Sequence, residues 1–284
     1  MIPEAAAPPE AVIPDLRYPP GPLSYLRVPR AIFRRELLRY RRDRAQWFGG
    51  VSRTLLWLVI LGYGIGASYT NIEGYTYTQY ILPGVVTLNI IFASLQSAIT
   101  LVWDRQVGLM REVLVSPAPM SAVAIGKLAG GATVATAQGT IVLLFAPLAG
   151  VALSPVRVAL AWAVMYLMGI LLVSIGVIIA SRMATFEGFG SISNGIVLPM
   201  FFLSGAVFPI RGIVGLGGFI VDLPIWLRGL MYVNPVTYQV DLLRRVLLDF
   251  QQLPPALDLV LGLTVPAAAA VAAGAAMARM RGVR

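Results

Sequence analysis

A short charged stretch, VWDRQVGLMREVLVSPAPMS, separates two long apolar segments and could contact a charged partner. Its charges are Asp104, Arg105, Arg111 and Glu112. Its apolar residues recur at helical spacing: Val107, Met110, Leu114 and Val115. The stretch predicts a short helix, because Asp104 suits a helix start and Pro117 and Pro119 would end the hydrogen-bond ladder. Such a helix can press sideways against another protein; a solvated turn between two spans is the alternative interpretation.

Side chains that usually carry enzyme chemistry are missing from the sequence. It contains no cysteine and no histidine, which excludes disulfides, thiolate or imidazole metal ligands, and Ser-His or Cys-His catalysis. The nearest approach to a phosphate-binding loop is SAVAIGKL, where Ser121 replaces the first glycine and Leu128 replaces the hydroxyl that would bind Mg²⁺. We expect no catalytic residue, no metal site and no cofactor in this chain. Lys127 is expected to end a span and reach the lipid interface.

The composition is that of an integral membrane protein. Of 284 residues, 58% are hydrophobic and 12% are charged, whereas a soluble domain carries about 25% charged residues. The net charge of +9 is concentrated towards the amino end, which favours a cytoplasmic surface over a nucleic-acid interface. Residues 1–22 lack the apolar core of a signal peptide and are expected to form a flexible cytoplasmic tail. The strong preference for arginine over lysine indicates a GC-rich bacterial genome and therefore a bacterial plasma membrane.

Six segments are apolar enough to cross a bilayer, which takes roughly 20 residues per helix. They are Val51–Ser68, Tyr80–Val102, Leu128–Leu153, Val158–Ser181, Ile192–Phe208 and Leu257–Ala278. With the amino end inside the cell, few basic residues fall outside: Arg157, Arg211, Arg228, Arg244 and Arg245. The positive-inside rule therefore places both termini in the cytoplasm. Residues 49–284 are predicted to form one six-span transmembrane domain of an all-α, multi-pass protein.

Residues 23–48 predict an amphipathic helix before the first span. Its apolar side carries Leu26, Phe33, Leu37 and Tyr40. Basic residues around it include Arg30, Arg34, Arg35 and Arg41. Helices of this kind lie in the membrane interface, and Trp47 suits the headgroup level. Two interpretations stay open: the charges only retain the amino end inside, or the helix also contacts a cytoplasmic partner.

The segment between the last two predicted spans is apolar but interrupted by glycine and proline. Its second half predicts a helix with Asn234 as N-cap and Pro235 at the first helical position. One face of this helix is apolar: Val236, Val240, Leu243, Leu247 and Phe250. Arg245 is expected to pair with Asp241 and Asp249 at i,i+4 spacing. The segment predicts re-entrant helices in the outer leaflet, with an ordinary extracellular amphipathic helix as the alternative.

Polar and aromatic residues could line a substrate path. Asn89, Gln96 and Thr100 fall near one face of the second span, where they serve either interhelical hydrogen bonds or a seam between two subunits. Aromatic candidates are Phe92, Phe201 and Phe202, although packing is the commoner role of aromatic residues in a span. Proton coupling is disfavoured, because such relays use carboxylates or histidines and we expect the spans to lack buried carboxylates.

Three motifs together resemble the transmembrane subunits of ABC-2 type exporters, in particular those for drug resistance and nodulation-factor export. They are REVLVSPAPMSAVAIGKL (Arg111–Leu128), LPMFFLSGAVFP (Leu198–Pro209) and LPIWLRGLMYVNPVTYQVDLLRRVLL (Leu223–Leu248). The resemblance implies a G-type, or type V, exporter fold. Such a fold is a dimer of six-span subunits, each with an interfacial amino-terminal helix, a cytoplasmic coupling helix and re-entrant helices before the last span.

The resemblance also implies site residues and partners. The coupling helix that contacts an ATPase would use Asp104, Arg105, Gly108, Arg111, Glu112, Ser116 and Pro117. An outer gate would use Phe208, Pro209, Asn234, Pro235, Tyr238 and Asp241. The implied partners are two copies of an ABC ATPase subunit, which would bind ATP and Mg²⁺, and a second permease subunit as homodimer or heterodimer. Membrane lipids are expected contacts and nucleic acid is not.

The leading functional hypothesis is the permease subunit of an ATP-driven exporter for a hydrophobic or amphipathic substrate such as a drug, a lipid or a lipid-linked glycan. An intramembrane lipid-modifying enzyme is a weaker alternative. It would need clustered carboxylates to hold Mg²⁺, whereas Asp104, Glu112 and Glu187 are scattered along the sequence. A membrane anchor without transport is the third hypothesis, and it leaves the polar residues of the second span without a purpose.

Overall fold

A computed structural model describes residues 24–65, 72, 74–108, 119–210, 213–214, 220–221 and 223–280. These residues are almost entirely helical. The α-helices are α1 Ser24–Arg42, α2 Arg44–Val59, α3 Tyr77–Gln106, α4 Met120–Leu143, α5 Pro155–Arg182, α6 Phe186–Phe202, α7 Ile225–Val233, α8 Pro235–Leu248 and α9 Pro255–Arg279. A π-helical turn, Ile60–Ile65, extends α2, and a 3₁₀ turn, Ala146–Ala149, follows α4. Two short antiparallel strands, Ile213–Val214 and Ile220–Val221, complete the described elements.

Four of the described helices, α3, α4, α5 and α9, are long and apolar enough to cross a membrane. They correspond to the second, third, fourth and sixth predicted spans. The third span was predicted at the wrong position: α4 begins at Met120, directly after Pro119, and ends at Leu143. The chain then turns through Pro147 and Gly150, whose φ of +76° suits a glycine. The helices α2 and α6, which overlap the first and fifth predicted spans, are shorter.

The core of the bundle is α3, which packs on both α4 and α5, while α9 packs on α5. Small residues allow these helices to approach closely. A methyl group at Gly169 of α5 would come within 2.9 Å of the Cα of Ala132 in α4. One at Gly131 would come within 2.6 Å of the Ser97 hydroxyl in α3. The absence of side chains at these two glycines therefore allows the three helices to pack closely.

The amino-terminal helix α1 packs along α4. A methyl group at Gly126 would stand 2.6 Å from the carbonyl oxygen of Pro29, so the two backbones almost touch. The predicted helix over 23–48 is too long, because α1 ends at Arg42 and Asp43 caps a new helix by accepting from the Gln46 amide at 3.0 Å. Leu26 is 72% exposed, so only part of the predicted apolar side meets the bundle.

The bundle has two ends, which we name after the helices found there. The α1 end holds α1, the last turns of α3 and α5 and the first turn of α6. The α8 end holds α7, α8 and the first turn of α9. At the α8 end, α6 stops at Phe202, short of the predicted Phe208. The following residues 203–210 form a mostly buried loop in which Gly205 has a φ of +71°.

Candidate functional site

The predicted coupling residues lie only in part within the described chain. Arg111, Glu112, Ser116 and Pro117 fall outside the described residues. Asp104, at the α1 end of α3, is buried and forms an ion pair with Arg35 of α1. Arg105 donates to the carbonyl oxygens of Met183 at 2.8 Å and Ser181 at 3.1 Å. Gly108, with a φ of +80°, turns the chain after α3. Asp104 and Arg105 thus tie the start of the loop to α1 and to the end of α5.

The predicted interfacial arginines do not all behave alike. Arg30, Arg34 and Arg41 are exposed along α1, whereas Arg35 reaches Asp104. Tyr40, on the packed side, is stacked on Trp47 with ring centroids 4.7 Å apart. Burial raises the pKa of the Tyr40 hydroxyl to about 12. The helix therefore presents charge outwards and keeps a neutral aromatic contact at its junction with α2.

Lys127 does not reach an interface as predicted. It is buried, and its Nζ lies 2.8 Å from the Glu36 carboxylate of α1, with both side chains 5% exposed. Lys127 also donates to the Thr100 hydroxyl, and the Ser97 hydroxyl donates to Glu36 at 3.3 Å. Thr100, predicted to line a path, is thus part of a buried cluster that joins α1, α3 and α4. The sequence analysis did not identify Glu36, because a single acidic residue in a basic helix is typical of an exposed position.

Some residues of the polar face predicted on α3 are packed inside the bundle, and others line a cavity. Asn89 is fully buried and donates to the Val85 carbonyl of its own helix at 3.2 Å. Phe201 belongs to the core, and Phe202 is 41% exposed at the end of α6. Of the six predicted path residues, only Phe92 and Gln96 line the cavity that lies beside α3.

A cavity of about 480 Å³ lies beside α3, between α2, α4 and α6. Its polar lining comes from Asp43, Gln46, Arg53, Gln96, Gln138, Ser193 and Asn194. Its apolar wall includes Phe92, Leu95, Ile99 and Phe189. The Arg53 guanidinium lies over the Phe92 ring, with its Cζ 4.2 Å from the ring centroid. Space, a cation, amides and an apolar wall together make this cavity suited to an amphipathic ligand.

At the α8 end, Asp241 and Arg244 form a buried ion pair at 3.3 Å, each side chain 1% exposed. Asp241 also accepts from the backbone amides of Gln252 and Leu253, each at 2.9 Å. Arg244 donates to the Gly205 carbonyl at 2.7 Å and lies 4.2 Å from the Tyr80 ring centroid. We refer to these groups as the α8 cluster.

The ion pairs predicted for α8 are therefore wrong. Asp241 pairs with Arg244 at i,i+3, and Asp249 pairs with Arg157 of α5. The predicted helix start is confirmed: Asn234 accepts from the Val236 amide at 3.1 Å, and Pro235 follows at the first position. The predicted apolar face of α8 is confirmed as buried. The pairing differs because burial of that face turns Arg244 inwards and leaves Arg245 exposed.

Other predicted gate residues lie around the same end. Asn234 also donates to the Met200 carbonyl at 2.6 Å, and the Tyr238 hydroxyl donates to the Tyr232 carbonyl at 2.5 Å. Burial raises the pKa of the Tyr238 hydroxyl, and the Asp258 charge adds to the shift. Pro209 is buried and Phe208 half-buried in the loop after α6, so neither ends the fifth span as predicted.

The expectation that spans lack buried carboxylates was wrong. Asp258, in the first turn of α9, is 1% exposed. Its carboxyl group faces the Asp241 carboxyl of the α8 cluster, which lies close enough to interact with it. Two carboxyl groups in contact disfavour double ionisation. The position of Asp258 early in the last predicted span did not indicate from the sequence that it would contact Asp241.

The sequence matches known transport proteins over most of its length. A family model described as ABC-2 type transporter matches residues 29–248. The chain is 24% identical to nodulation protein J of Rhizobium leguminosarum bv. viciae over 81% of this chain and 84% of that protein. It is 26% identical to nodulation protein J of Sinorhizobium fredii over 77% and 80%, respectively. It is also 26% identical to the probable multidrug ABC transporter permease YbhR of Escherichia coli K12, over 61% of this chain and 44% of that one.

Proposed function

Because this chain belongs to the ABC-2 type transporter family, we propose that it is the permease subunit of an ATP-driven exporter for hydrophobic or amphipathic substrates. The observation that carries the proposal is the cavity beside α3. It lies within a membrane-type bundle and combines amides and an arginine with an aromatic wall. Drugs, lipids and lipid-linked glycans share this mixture of polar and apolar surface. Similarity to a relative named as a probable multidrug ABC transporter permease supports drug-like substrates.

We also propose that α2 and α6 complete a six-span domain over residues 49–284. The 17 residues of α6 cover about 26 Å, and the π-helical turn lengthens α2 towards the roughly 30 Å needed. Both helices expose large apolar residues: Leu55, Leu56, Val59, Ile192 and Ile196. Contacts with lipids, or with a second permease of the same or a different sequence, would cover these residues. The cavity would then lie near the seam of a dimer.

The α1 end is proposed to face the cytoplasm of a bacterium, with both termini on that side. Ten of the basic residues lie in the sequence from Arg17 to Arg53, and basic residues accumulate on the inner side of membranes. In this orientation residues 1–22 lie on the cytoplasmic side, α1 lies along the inner interface, and the α8 end forms the outer gate. The outer gate comprises Phe208, Pro209, Asn234, Pro235, Tyr238 and Asp241.

Energy is proposed to come from two copies of a separate ABC ATPase subunit that bind ATP and Mg²⁺. The stretch from Asp104 to Pro117 is the proposed contact, with Arg111 and Glu112 touching the ATPase. Arg35 and Arg105 support this role, because they fix the start of the stretch to α1 and to the end of α5. A push on the stretch would therefore be transmitted to several helices at once.

The test is purification from native membranes in mild detergent, followed by assay of co-purifying subunits and of ATP hydrolysis. We expect an ATPase with the unaltered chain, and its loss or uncoupling in Arg111→Ala/Glu112→Ala. The matched control is Arg182→Ala/Glu187→Ala, which removes the same charges at the same end of the bundle from exposed positions. The control should keep the ATPase. Absence of an ATPase under every condition, or equal behaviour of the two double variants, contradicts the proposal.

A further inference from the structure

Arg53 is a half-buried cation of α2 that has no counter-charge among the described residues. It lies in the third turn of α2, about 15 Å along the helix axis from the cap residue Asp43. Its Nε is buried, and no described residue forms a hydrogen bond or an ion pair with its guanidinium. The Phe92 ring is its one close electrostatic contact in the part of the chain that the structure describes. A cation–π contact compensates only part of the cost of removing a charge from water.

Three other buried or half-buried cations have polar partners among the described residues. Lys127 pairs with Glu36, Arg244 pairs with Asp241, and Arg105 donates to two carbonyl oxygens. Charged residues within membrane segments are costly and mark sites for ligands or ions when no partner compensates them. Because Arg53 has no such partner among the described residues, its guanidinium is available to a group that enters the cavity.

The cavity in front of Arg53 offers further donors. Ser193 of α6 is 2% exposed, and its hydroxyl has no hydrogen-bond partner among the described residues. Gln96 of α3 and Asn194 of α6 line the same space with exposed amides. A guanidinium fork, a hydroxyl and amide N–H groups can all donate hydrogen bonds, and the oxygens of a carboxylate or a phosphate would accept them. The acidic lining residue, Asp43, is exposed and caps α2, so it lies towards the rim.

The rest of the wall is apolar. Phe92, Leu95 and Phe189 line the cavity beside the donors, and its volume of about 480 Å³ exceeds what one small anion needs. We propose that this cavity binds the anionic headgroup of an amphipathic substrate, with Arg53 as the residue that holds the anion. The inference rests on the proposed export function and specifies its substrate class: amphiphiles that carry a carboxylate or a phosphate.

Direct binding to the permease tests the inference without any ATPase. The chain is placed in nanodiscs of phosphatidylcholine, and radiolabelled dodecyl phosphate is the probe, with signal from empty discs subtracted. We expect saturable binding that falls by about ten- to a hundredfold in Arg53→Gln, because hydrogen bonds to a charged group are lost. Arg53→Lys, which keeps the charge but not the fork, should lose less. The matched control Arg182→Gln removes an exposed arginine and should bind like the unaltered chain.

Competition on the unaltered chain keeps the test independent of how well variants fold. Unlabelled dodecyl phosphate should displace the probe much better than dodecanol, which has the tail without the charge, or inorganic phosphate, which has the charge without the tail. Equal competition by dodecanol overturns the role of the anion. Equal competition by inorganic phosphate overturns the amphipathic ligand. Unchanged binding in a folded Arg53→Gln variant overturns the assignment of Arg53.

A further arm identifies the source of the anionic amphiphile. Discs that contain phosphatidylglycerol should leave probe binding unchanged if the ligand is an exported solute, and should reduce it in an Arg53-dependent way if a bilayer lipid is the ligand. Either result supports a headgroup site, and a reduction that is equal in Arg53→Gln contradicts it. If the probe binds but no ATPase co-purifies from native membranes, the export proposal alone is contradicted. If a coupled ATPase co-purifies but the probe does not bind, this inference alone is contradicted.

Discussion

Two regions of the bundle, the α8 cluster and the cavity between α2 and α6, differ in how they accommodate charge. In the α8 cluster, Asp241 and Arg244 neutralise each other, and backbone amides and the Gly205 carbonyl supply further contacts, although the Arg244 Nε has no hydrogen-bond partner among the described residues. In the cavity between α2 and α6, Arg53 meets an aromatic ring and open space. A charge with a counter-charge inside the chain stabilises one structure, whereas a charge without one among the described residues is available to a ligand. The comparison distinguishes a structural ion pair from the proposed binding site.

The α8 cluster also explains how a loop is held inside the bundle. Residues 203–210 are mostly buried, and a buried backbone needs partners for its carbonyl oxygens. Arg244 and Tyr80 both donate to the Gly205 carbonyl, and Tyr77 donates to that of Val207. The side chains of α3 and α8 therefore replace the hydrogen bonds that a helix would have made.

Breaking the α8 cluster should have the largest effect on stability. Arg244→Ala leaves Asp241 buried without its cation, which we expect to lower the free energy of unfolding by about 3–5 kcal/mol. The measurement is the melting temperature of the detergent-solubilised protein, read from the monodisperse fraction. Arg245→Ala is the matched control, because Arg245 is adjacent and exposed. A greater loss in Arg245→Ala would restore the pairing that the sequence predicts and refute the cluster.

The Glu36–Lys127 pair should rank second. Glu36→Gln keeps an acceptor but removes the charge opposite Lys127, and we expect a loss of about 2 kcal/mol in the free energy of unfolding. Lys127→Met combined with Glu36→Leu should recover most of that loss, because apolar residues can replace a buried ion pair. The comparison of single and double variants measures the coupling. If the stability losses of the Glu36 and Lys127 single variants simply added in the double variant, the pair would not contribute to the packing of α1 on α4.

Removal of Arg53 should change stability in the opposite direction. Arg53→Leu deletes a charge that has no counter-charge among the described residues, so in the absence of ligand we expect no loss of stability and a gain of up to about 1 kcal/mol. The melting temperature is measured in neutral detergent without anionic amphiphiles. Thr54→Val next to it, which removes a buried hydroxyl bonded to the Gly50 carbonyl, serves as a control that should destabilise. A clear loss in Arg53→Leu would show that Arg53 has a structural partner.

The Arg35–Asp104 pair should matter least for stability. The Arg35 side chain is 43% exposed, and ion pairs near the surface contribute about 0.5 kcal/mol. Arg35→Ala should therefore hardly change the melting temperature but should weaken the stimulation of a bound ATPase by substrate. Arg34→Ala, at the exposed neighbouring position, should change neither property. Equal ATPase stimulation in both variants would remove Arg35 from the transmission path.

Several features follow from the sequence alone, because they depend on local or average properties. Apolar length predicted the helices α3, α4, α5 and α9 as spans. The start of α8 at Asn234 and Pro235 follows from backbone capping, and its apolar face follows from helical periodicity. The bounds of α4 and α6 were less accurate, since an apolar residue contributes equally to a helix or to a buried loop. The family resemblance, carried by three motifs, is confirmed by the match over residues 29–248.

The partners of buried charges were decided only by the tertiary structure. Lys127 and Glu36 are far apart in the sequence, and Arg244 and Arg245 are adjacent, so spacing alone cannot tell which cation is buried or what it meets. Electrostatic energy depends on the distance between groups and on the water around them, and both are set when helices pack. The sequence determined a basic, multi-pass helical membrane protein of the ABC-2 family. Packing of α1, α2, α6 and α8 around α3 determined which charges are neutralised and left Arg53 facing a cavity.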